Sequence, residues 1–177
     1  MQKGYLSAQV RHLVDTKKDS SGKITKIYDY PSSNPWDWKI LADEVPNLLT
    51  NAGKDLLHNY GYIDVTASAV TAVGFNFIAL TEATITPAVT DTTLSSEIAT
   101  NGLSRAAATT ATHTPAANTS VIAKTFTASG SFTSVLASAL FSASASGTMG
   151  HEANFSTGSG TLISGDQLAV TWTITLS

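Results

Sequence analysis

The C-terminal stretch Leu168–Leu176 constrains the fold of this chain more than any other segment. Apolar residues occupy every second position of it, and the positions between them hold alanine or threonine. Side chains of a β-strand point alternately to the two faces of a sheet, so this pattern predicts a strand with one buried and one solvated face. A single strand is not stable alone, and the rest of the chain must therefore supply partner strands and a second apolar layer.

The composition limits both the size of the core and the classes of partner. The chain has 177 residues, 42% hydrophobic and 13% charged, which suffices for one sizeable core. It has no cysteine, which excludes disulfides, thiolate metal sites and cysteine nucleophiles. The net charge of −3 lacks the basic surplus typical of nucleic-acid-binding domains, so we expect no nucleic-acid partner. No uncharged apolar run reaches about 18 residues, and we expect no membrane partner.

The basic residues are distributed very unevenly along the chain. Of the ten lysine and arginine residues, only Arg105 and Lys124 lie beyond residue 60. From about residue 66 the chain is rich in alanine, threonine and serine, but aromatic residues recur at strand-like spacing and give it a core to bury, which argues against disorder. We therefore predict an extended N-terminal anchoring arm or hairpin over residues 1–45, and a domain containing a helix and a β-sandwich over residues 46–177.

The N-terminal region combines extended segments with aromatic residues. Residues 4–30 predict two extended segments around an Asp-Ser-Ser-Gly turn. Pro31 and Pro35 then interrupt regular structure next to two tryptophans that need an apolar cover. This combination predicts docking onto a partner; the alternative is that both tryptophans fold back onto their own domain. The candidate docking residues are Tyr5, Tyr28, Tyr30, Trp36 and Trp38.

One helix is predicted, over Thr50–Tyr60. Thr50 is a suitable N-cap, an apolar stripe follows at helical spacing, and Gly61 stands where a left-handed C-cap belongs. Leu48 and Leu49 precede the cap and predict a hydrophobic staple to the core. Gly53 within the helix lowers its propensity by about 1 kcal/mol, which indicates close packing against another backbone.

The remaining chain predicts a series of short strands separated by turn residues. One short helix followed by six or seven strands is typical of a mainly β protein, here an antiparallel β-sandwich or jelly-roll. The predicted strands are residues 73–80, 103–113, 120–128, 132–141, 149–155 and 168–176.

The sequence carries no motif of a familiar catalytic or metal site. It has no Gly-x-Ser-x-Gly elbow, no His-Glu-x-x-His zinc motif, no phosphate loop and no EF-hand spacing. His151 and Glu152 are neighbours, but on a strand they point to opposite faces and cannot easily share a metal or a proton. We therefore expect a structural role for His151, and we predict no catalytic residue, no cofactor, no metal and no enzymatic activity.

The isolated carboxylates have two interpretations. Asp91, Glu97 and Glu152 are candidates for the acid and base of a glycosidase, although nothing in the sequence brings two of them together. Glu97 and Arg105 flank the turn at residues 100–102, so a hairpin there brings them near each other. We favour a structural pair of Glu97 with Arg105 over a catalytic role.

Several short segments, taken in order, resemble a group of tailed-bacteriophage virion proteins. The resemblance covers residues 49–177. More distantly, the helix and the order Asp91, Leu94, Glu97, Arg105 are similar to the attachment domain at the start of phage tail-collar fibre proteins. The segments that carry the resemblance are residues 49–57, 75–80, 91–98, 102–106, 124–128 and 165–174.

The resemblance implies a non-enzymatic structural protein of a virion, made in the cytoplasm of the host bacterium. A capsid decoration or cement protein that docks through its N-terminal arm fits this implication, with the major capsid or tail proteins as partners. It further implies a homo-oligomer, with a trimer favoured. The alternatives are an accessory protein of the neck, tail or baseplate, or a host-glycan-binding module whose sugar platform is Trp36, Trp38 and Tyr62. Residues 1–45 lie outside the resemblance.

Overall fold

The protein is mainly β in a computed structural model, which describes residues 2–18, 20–21, 23–29, 39–55, 74–114 and 119–176. Residues 51–55 are helical and form α1. The strands are β1 Gln2–Lys18, β2 Ile24–Asp29, β3 Lys39–Pro46, β4 Leu48–Leu49, β5 Phe77–Thr81, β6 Ala106–Ala107, β7 Thr110–Thr114, β8 Thr119–Thr127, β9 Ala137–Phe141, β10 Met149–Asn154 and β11 Gln167–Leu176.

The strands form two antiparallel sheets that share one core. Sheet 1 has the order β2-β1-β11-β8-β7, with β3 also paired to β1, and sheet 2 has the order β4-β10-β9-β5-β6. Val10 and Trp172 of sheet 1 lie in the same apolar cluster as Ile78 and Leu140 of sheet 2. The predicted antiparallel sandwich with one short helix is therefore confirmed. Its jelly-roll form stays a prediction. Two pairs of consecutive strands, β7 with β8 and β9 with β10, are direct neighbours in one sheet.

Strand β11 is the half-buried strand that its sequence pattern predicts. Leu168, Val170 and Trp172 are at most 1% exposed, while the alternate positions are partly exposed. β1 pairs with β11 on one side, from Gln2 opposite Leu176 to Arg11 opposite Gln167, and β8 pairs with it on the other. A strand with neighbours on both sides satisfies its backbone hydrogen bonds within the sheet.

Sheet 2 is buried on both faces. Its outer face carries a second apolar cluster, in which Ala139 and Phe141 of β9 pack with Ile85 and Leu94 from the segment between β5 and β6. That segment forms a third layer over the sheet. All five residues of β9 are buried for this reason, and the strand shows no alternation of apolar and polar residues.

The start of α1 is built as its sequence predicts. Gly53 N–H donates to Thr50 Oγ1 at 3.0 Å, and Thr50 Oγ1 donates to the Met149 carbonyl at 2.6 Å. A Cβ added at Gly53 would lie 2.9 Å from the backbone of Gly150, so the helix and β10 touch through two glycines. The N-cap and the close approach at Gly53 are confirmed, and the predicted continuation to Tyr60 and Gly61 lies outside the described residues.

The prediction of a separate arm over residues 1–45 does not hold for β1 and β3. Leu6, Ala8 and Val10 of β1 are at most 1% exposed, and Leu41 of β3 lies in the same core cluster. The physical reason is the alternation of Leu6, Ala8 and Val10, which matches that of β11 and lets the two strands bury a common face. The N-terminal strands are therefore an integral part of the sandwich.

The second half of β1 forms a hairpin with β2. The pairing with β11 ends at Arg11, and from His12 to Lys18 the partner strand of β1 among the described residues is β2. We call residues 12–29 the β1–β2 ribbon. It continues β1 beyond the start of β11 by seven residues, or about 23 Å.

Other strands differ from the sequence prediction for identifiable reasons. β3 and β4 were not predicted as strands; β4 has only two residues, and β3 follows the two prolines. The strand predicted over residues 103–113 is two short strands, because β6 pairs with β5 in sheet 2 and β7 pairs with β8 in sheet 1. The chain crosses between the sheets at this corner. β9 begins at Ala137, and the earlier Phe132 forms a single bridge with Leu162.

We expect deletion of residues 1–45 to abolish the folded state, because β11 loses a partner strand and Trp172 loses Leu6 and Val10 from its core cluster. The deletion also removes Trp36 and Trp38, so Trp172 is the one tryptophan left and its fluorescence reports on the core directly. A red-shifted emission without cooperative unfolding in urea is the expected result. A variant that joins His12 to Asp29 through an Asn-Gly turn is the control, since it shortens the ribbon but keeps β3 and the part of β1 that pairs with β11. Cooperative unfolding of the deletion variant at the midpoint of the full chain would contradict this account.

Candidate functional site

The two most perturbed titratable groups of the described residues are neighbours on β10. His151 and Glu152 are each 2% exposed and project from opposite faces of the strand. His151 lies in the core between the sheets, with its ring centroid 6.0 Å from that of Phe75 and 6.2 Å from that of Trp172. Its Nδ1 has no hydrogen-bond partner, and burial lowers the pKa of His151 to about 4. The imidazole is therefore neutral at pH 7.

Glu152 faces outward and meets a second acid beneath the segment between β5 and β6. The Ala88 N–H donates to Glu152 Oε1 at 3.1 Å and to Asp91 Oδ2 at 2.9 Å. Burial first, and then a hydrogen bond to the Asp91 carboxyl and the charge of that carboxyl, raise the pKa of Glu152 to about 7, while the Ala88 N–H lowers it. Below about pH 7 the Glu152 carboxyl therefore carries its proton.

The segment above Glu152 is tied down at three points. We call residues 85–91 the outer loop. Asn154, on the same face of β10 as Glu152, donates to the Ile85 carbonyl at 2.7 Å and accepts the Ile85 N–H at 3.0 Å. The Asn51 N–H of α1 donates to the Val89 carbonyl at 2.7 Å. Glu152 holds the middle of the loop at Ala88, between these two neutral ties.

The geometry of the Asp91–Glu152 pair does not match that of a glycosidase. Carboxyls that act on a glycosidic bond stand about 5 to 9.5 Å apart, which leaves room for the sugar and, in inverting enzymes, a water. Here the two carboxyls accept the same Ala88 N–H, at 2.9 and 3.1 Å, and Glu152 is buried beneath the segment that carries this N–H. This arrangement suits a tether between the outer loop and β10. The sequence analysis missed this pairing, since no motif links the two acids. The one local signal was the position of Asp91 in a turn. That turn is present in the structure, where the Asp91 N–H donates to the Ala88 carbonyl at 3.0 Å.

The structure brings Glu97 and Arg105 together. Arg105 Nε donates to Glu97 Oε1 at 2.8 Å, and Arg105 Nη2 donates to Glu97 Oε2. Arg105 Nη1 also donates to the carbonyls of Ala143 and Ser146, at 3.3 and 2.7 Å. The guanidinium carbon lies 3.4 Å from the ring centroid of Phe141, in cation–π geometry. Arg105 thereby joins the segment around Glu97, the end of β9 and the turn that follows it.

Of the five predicted docking aromatics, the structure describes Tyr5 and Tyr28. Tyr5 is half-buried on the outer face of sheet 1, opposite Thr173 of β11 and Pro46 of β3. Tyr28 lies in the β1–β2 ribbon, opposite Leu13. Tyr30, Trp36 and Trp38 lie outside the described residues, as does Tyr62 of the alternative sugar platform.

The outer face of sheet 1 is rich in threonine. Thr171 of β11 lies opposite Ala123 of β8, which lies opposite Thr110 of β7, and the next rows repeat this arrangement. The outward-facing residues of the three strands are uncharged and are partly or fully exposed. The sequence signal for this face is the repeated Thr-x-Thr pattern. We call it the threonine face, and its members are Ala169, Thr171, Thr173 and Thr175, Thr119, Val121, Ala123, Thr125 and Thr127, and Thr110, Thr112 and Thr114.

No metal centre or membrane-spanning helix is found in the part of the chain that the structure describes. Within those ranges, no three histidine, aspartate or glutamate side chains converge as metal ligands. No helix there is both long and apolar enough to cross a bilayer. Comparisons with protein families, with curated proteins and with solved structures returned no match.

The opposite pKa shifts of His151 and Glu152 predict opposite contributions to the pH dependence of stability. The lowered pKa of His151 stabilises the fold above pH 6.5, and this stabilisation is lost as the pH falls towards 4. The raised pKa of Glu152 stabilises the fold below pH 4.5, and this stabilisation is lost as the pH rises through 7. Each contribution is about 3 kcal/mol, and between pH 4.5 and 6.5 the opposite slopes of the two contributions with pH largely cancel.

Single substitutions should expose each slope separately. Glu152→Gln removes the acid, and we expect its free energy of unfolding to fall as the pH is lowered from 6.5 to 4.5, because His151 remains. His151→Leu removes the imidazole at similar volume, and we expect the opposite trend, because Glu152 remains. Urea denaturation at several pH values measures both. The same slope in the two variants would show that these groups do not control the pH dependence.

We expect Arg105→Gln to lower the free energy of unfolding by about 2 kcal/mol, because the carboxylate, two carbonyls and an aromatic face all lose their partner. Glu97→Gln should cost about 1 kcal/mol, since Arg105 keeps its other contacts. A double-mutant cycle in urea isolates the coupling between the two side chains. A coupling indistinguishable from zero would mean that the ion pair makes no net contribution.

Proposed function

We propose that this chain is a non-enzymatic structural component of a tailed-phage virion, and that it acts as a capsid decoration or cement protein. The order of the short motifs in residues 49–177 suggested this class, and an antiparallel sandwich suits it. The observation that carries the proposal is the use of the acids beyond residue 66: all five hold the protein's own segments in place.

Each of these acids binds the backbone or an arginine of the chain itself. Glu82 Oε1 accepts the N–H groups of Thr133 and Ser134, at 2.8 and 3.3 Å. Asp166 Oδ2 accepts the Ile163 N–H at 2.8 Å. The remaining three are Asp91 and Glu152, which hold Ala88, and Glu97, which holds Arg105. Such use of carboxylates favours a rigid module over a site for acid–base chemistry.

We place attachment at the β1–β2 ribbon. A two-stranded hairpin is only marginally stable alone, and among the described residues β1 and β2 pair in the ribbon with each other. Its strand edges carry backbone donors and acceptors that a neighbouring subunit can extend as further strands. This assignment moves the predicted anchor from the whole of residues 1–45 to residues 12–29. The partners are the major capsid or tail proteins of the same virion, and the protein is a homo-oligomer, most simply a trimer.

Incorporation into particles tests the attachment. We expect the ribbon-shortened variant, in which an Asn-Gly turn joins His12 to Asp29, to fold with a near-native unfolding midpoint and to lose at least about tenfold of its occupancy on purified particles. Thr112→Lys is the matched control, because it places a charge on the exposed edge strand β7 and leaves the ribbon intact. Full occupancy of the shortened variant would overturn docking through the ribbon, and loss caused by Thr112→Lys alone would move the interface to the threonine face.

The copy number of the protein in purified particles tests the function itself. Quantitative mass spectrometry against the major capsid protein, with an electron-microscopy reconstruction, gives both number and position. Hundreds of copies across the shell are expected for a decoration protein. About a dozen or fewer at one vertex would place the protein in the neck, tail or baseplate, and its absence from particles would overturn the proposal.

A further inference from the structure

We propose that Asp91 and Glu152 form a proton-operated latch, which holds the outer loop on sheet 2 while the pair shares one proton and loosens the loop when both carboxyls are ionised. This inference concerns regulation of the fold and does not depend on a virion role. It rests on two acids that accept the same backbone N–H, on the burial of Glu152 and on the neutral character of the other ties of the loop.

Among the described residues, one backbone N–H serves both carboxyl groups. The Ala88 N–H is shared between Asp91 Oδ2 and Glu152 Oε1, and a hydrogen bond to Asp91 is one cause of the raised pKa of Glu152. A hydrogen bond between two carboxyls needs a proton on one of them. When that proton leaves, the bond becomes a contact between like charges, and burial makes the repulsion stronger than in water.

Among the residues that the structure describes, no positive charge contributes to the pKa shift of Glu152. Its neighbours across the strands are Leu48 of β4 and Ala139 of β9, which are both apolar. The outer loop covers it with Ala88 and brings Asp91, which is the one charged group of the described residues that acts on its titration. Lys54 and Asp55 of α1, the element tied to Val89, are exposed at the surface. His151 lies on the opposite face of β10 and is neutral.

The latch acts on the middle of the outer loop and leaves its ends attached. The Ile85 tie uses the neutral amide of Asn154, and the Val89 tie uses the backbone N–H of Asn51, so neither titrates. Ionisation therefore releases the Ala88 turn alone. Beneath the layer lies the apolar cluster that includes Phe141 and Met149, and loosening of the turn brings water closer to it. The pKa of Glu152, about 7, sets the transition near neutral pH.

Hydrogen exchange of the Ala88 amide, measured by NMR and corrected for the intrinsic rate at each pH, tests the latch. With a pKa of about 7 in the closed state and 4.5 in the open state, we expect the protection factor of Ala88 to fall about tenfold between pH 6 and pH 8. In Glu152→Gln it should stay constant within about twofold, because an amide donates to Asp91 and accepts from Ala88 at every pH. Asp91→Asn removes the like charge and should also abolish the fall.

Two controls keep the test specific. Glu82→Gln alters a carboxylate that binds the backbone N–H groups of Thr133 and Ser134, and it should leave the tenfold fall at Ala88 intact. The Ile98 amide, bonded to the Leu80 carbonyl in the same layer, should show constant protection in all variants. A constant protection of Ala88 in the native chain would overturn the latch, as would a fall that survives in both Glu152→Gln and Asp91→Asn. So would a Glu152 side-chain carbon resonance that titrates below pH 5.

Discussion

Burial of the inner face of β11 is the constraint on which the rest of the sandwich depends. Trp172 is fully buried at the centre of this face, and its indole Nε1 donates to Ser138 Oγ of sheet 2 at 3.2 Å. Ser138 in turn donates to the Ala79 carbonyl at 3.0 Å, so a short chain of hydrogen bonds runs from sheet 1 into sheet 2. A buried indole needs such a partner, since an unsatisfied N–H costs about 1–3 kcal/mol. The contact thereby fixes how the two sheets face each other.

The third layer, the irregular segment over the outer face of sheet 2, depends on side chains for its hydrogen bonds. Sheet 2 presents apolar residues on both faces, and irregular backbone covers the outer one. Irregular backbone has no ladder to satisfy its N–H groups, so side chains take that role. The Asn154 side chain bonds both the N–H and the carbonyl of Ile85, as a neighbouring strand would. Thr81 Oγ1 donates to the carbonyls of Ser95 and Ser96 at 2.7 and 3.0 Å. Asp91, Glu97 and Glu152 therefore have structural roles in this layer. In the proposed latch, the contact that responds to pH is the one that Asp91 and Glu152 make together with Ala88.

Local signals in the sequence predicted local structure well. Thr50 caps α1 and Gly53 permits the close approach to Gly150, because capping and the lack of a Cβ act over a few residues. The signals failed where burial came from a distant layer. β3 was missed because its partner is the distant β1, and the strand predicted over residues 132–141 began five residues too early, since β9 begins at Ala137. The separation of the N-terminal region by charge was misleading, since its apolar residues at alternate positions belong to the common core.

Side-chain alternation and capping depend on residues close in the chain, so they were enough to predict a β protein, the strands that bury one face and the start of the helix. Long-range packing, in contrast, brings residues 2–11 into the sandwich, divides residues 106–114 between two sheets, and places Glu152 next to Ala88 and Asp91. Ala88 and Glu152 are 64 residues apart, and their contact depends on how β10 and the outer loop are packed. No local pattern encodes such a contact, because its energy exists only after the intervening strands have paired.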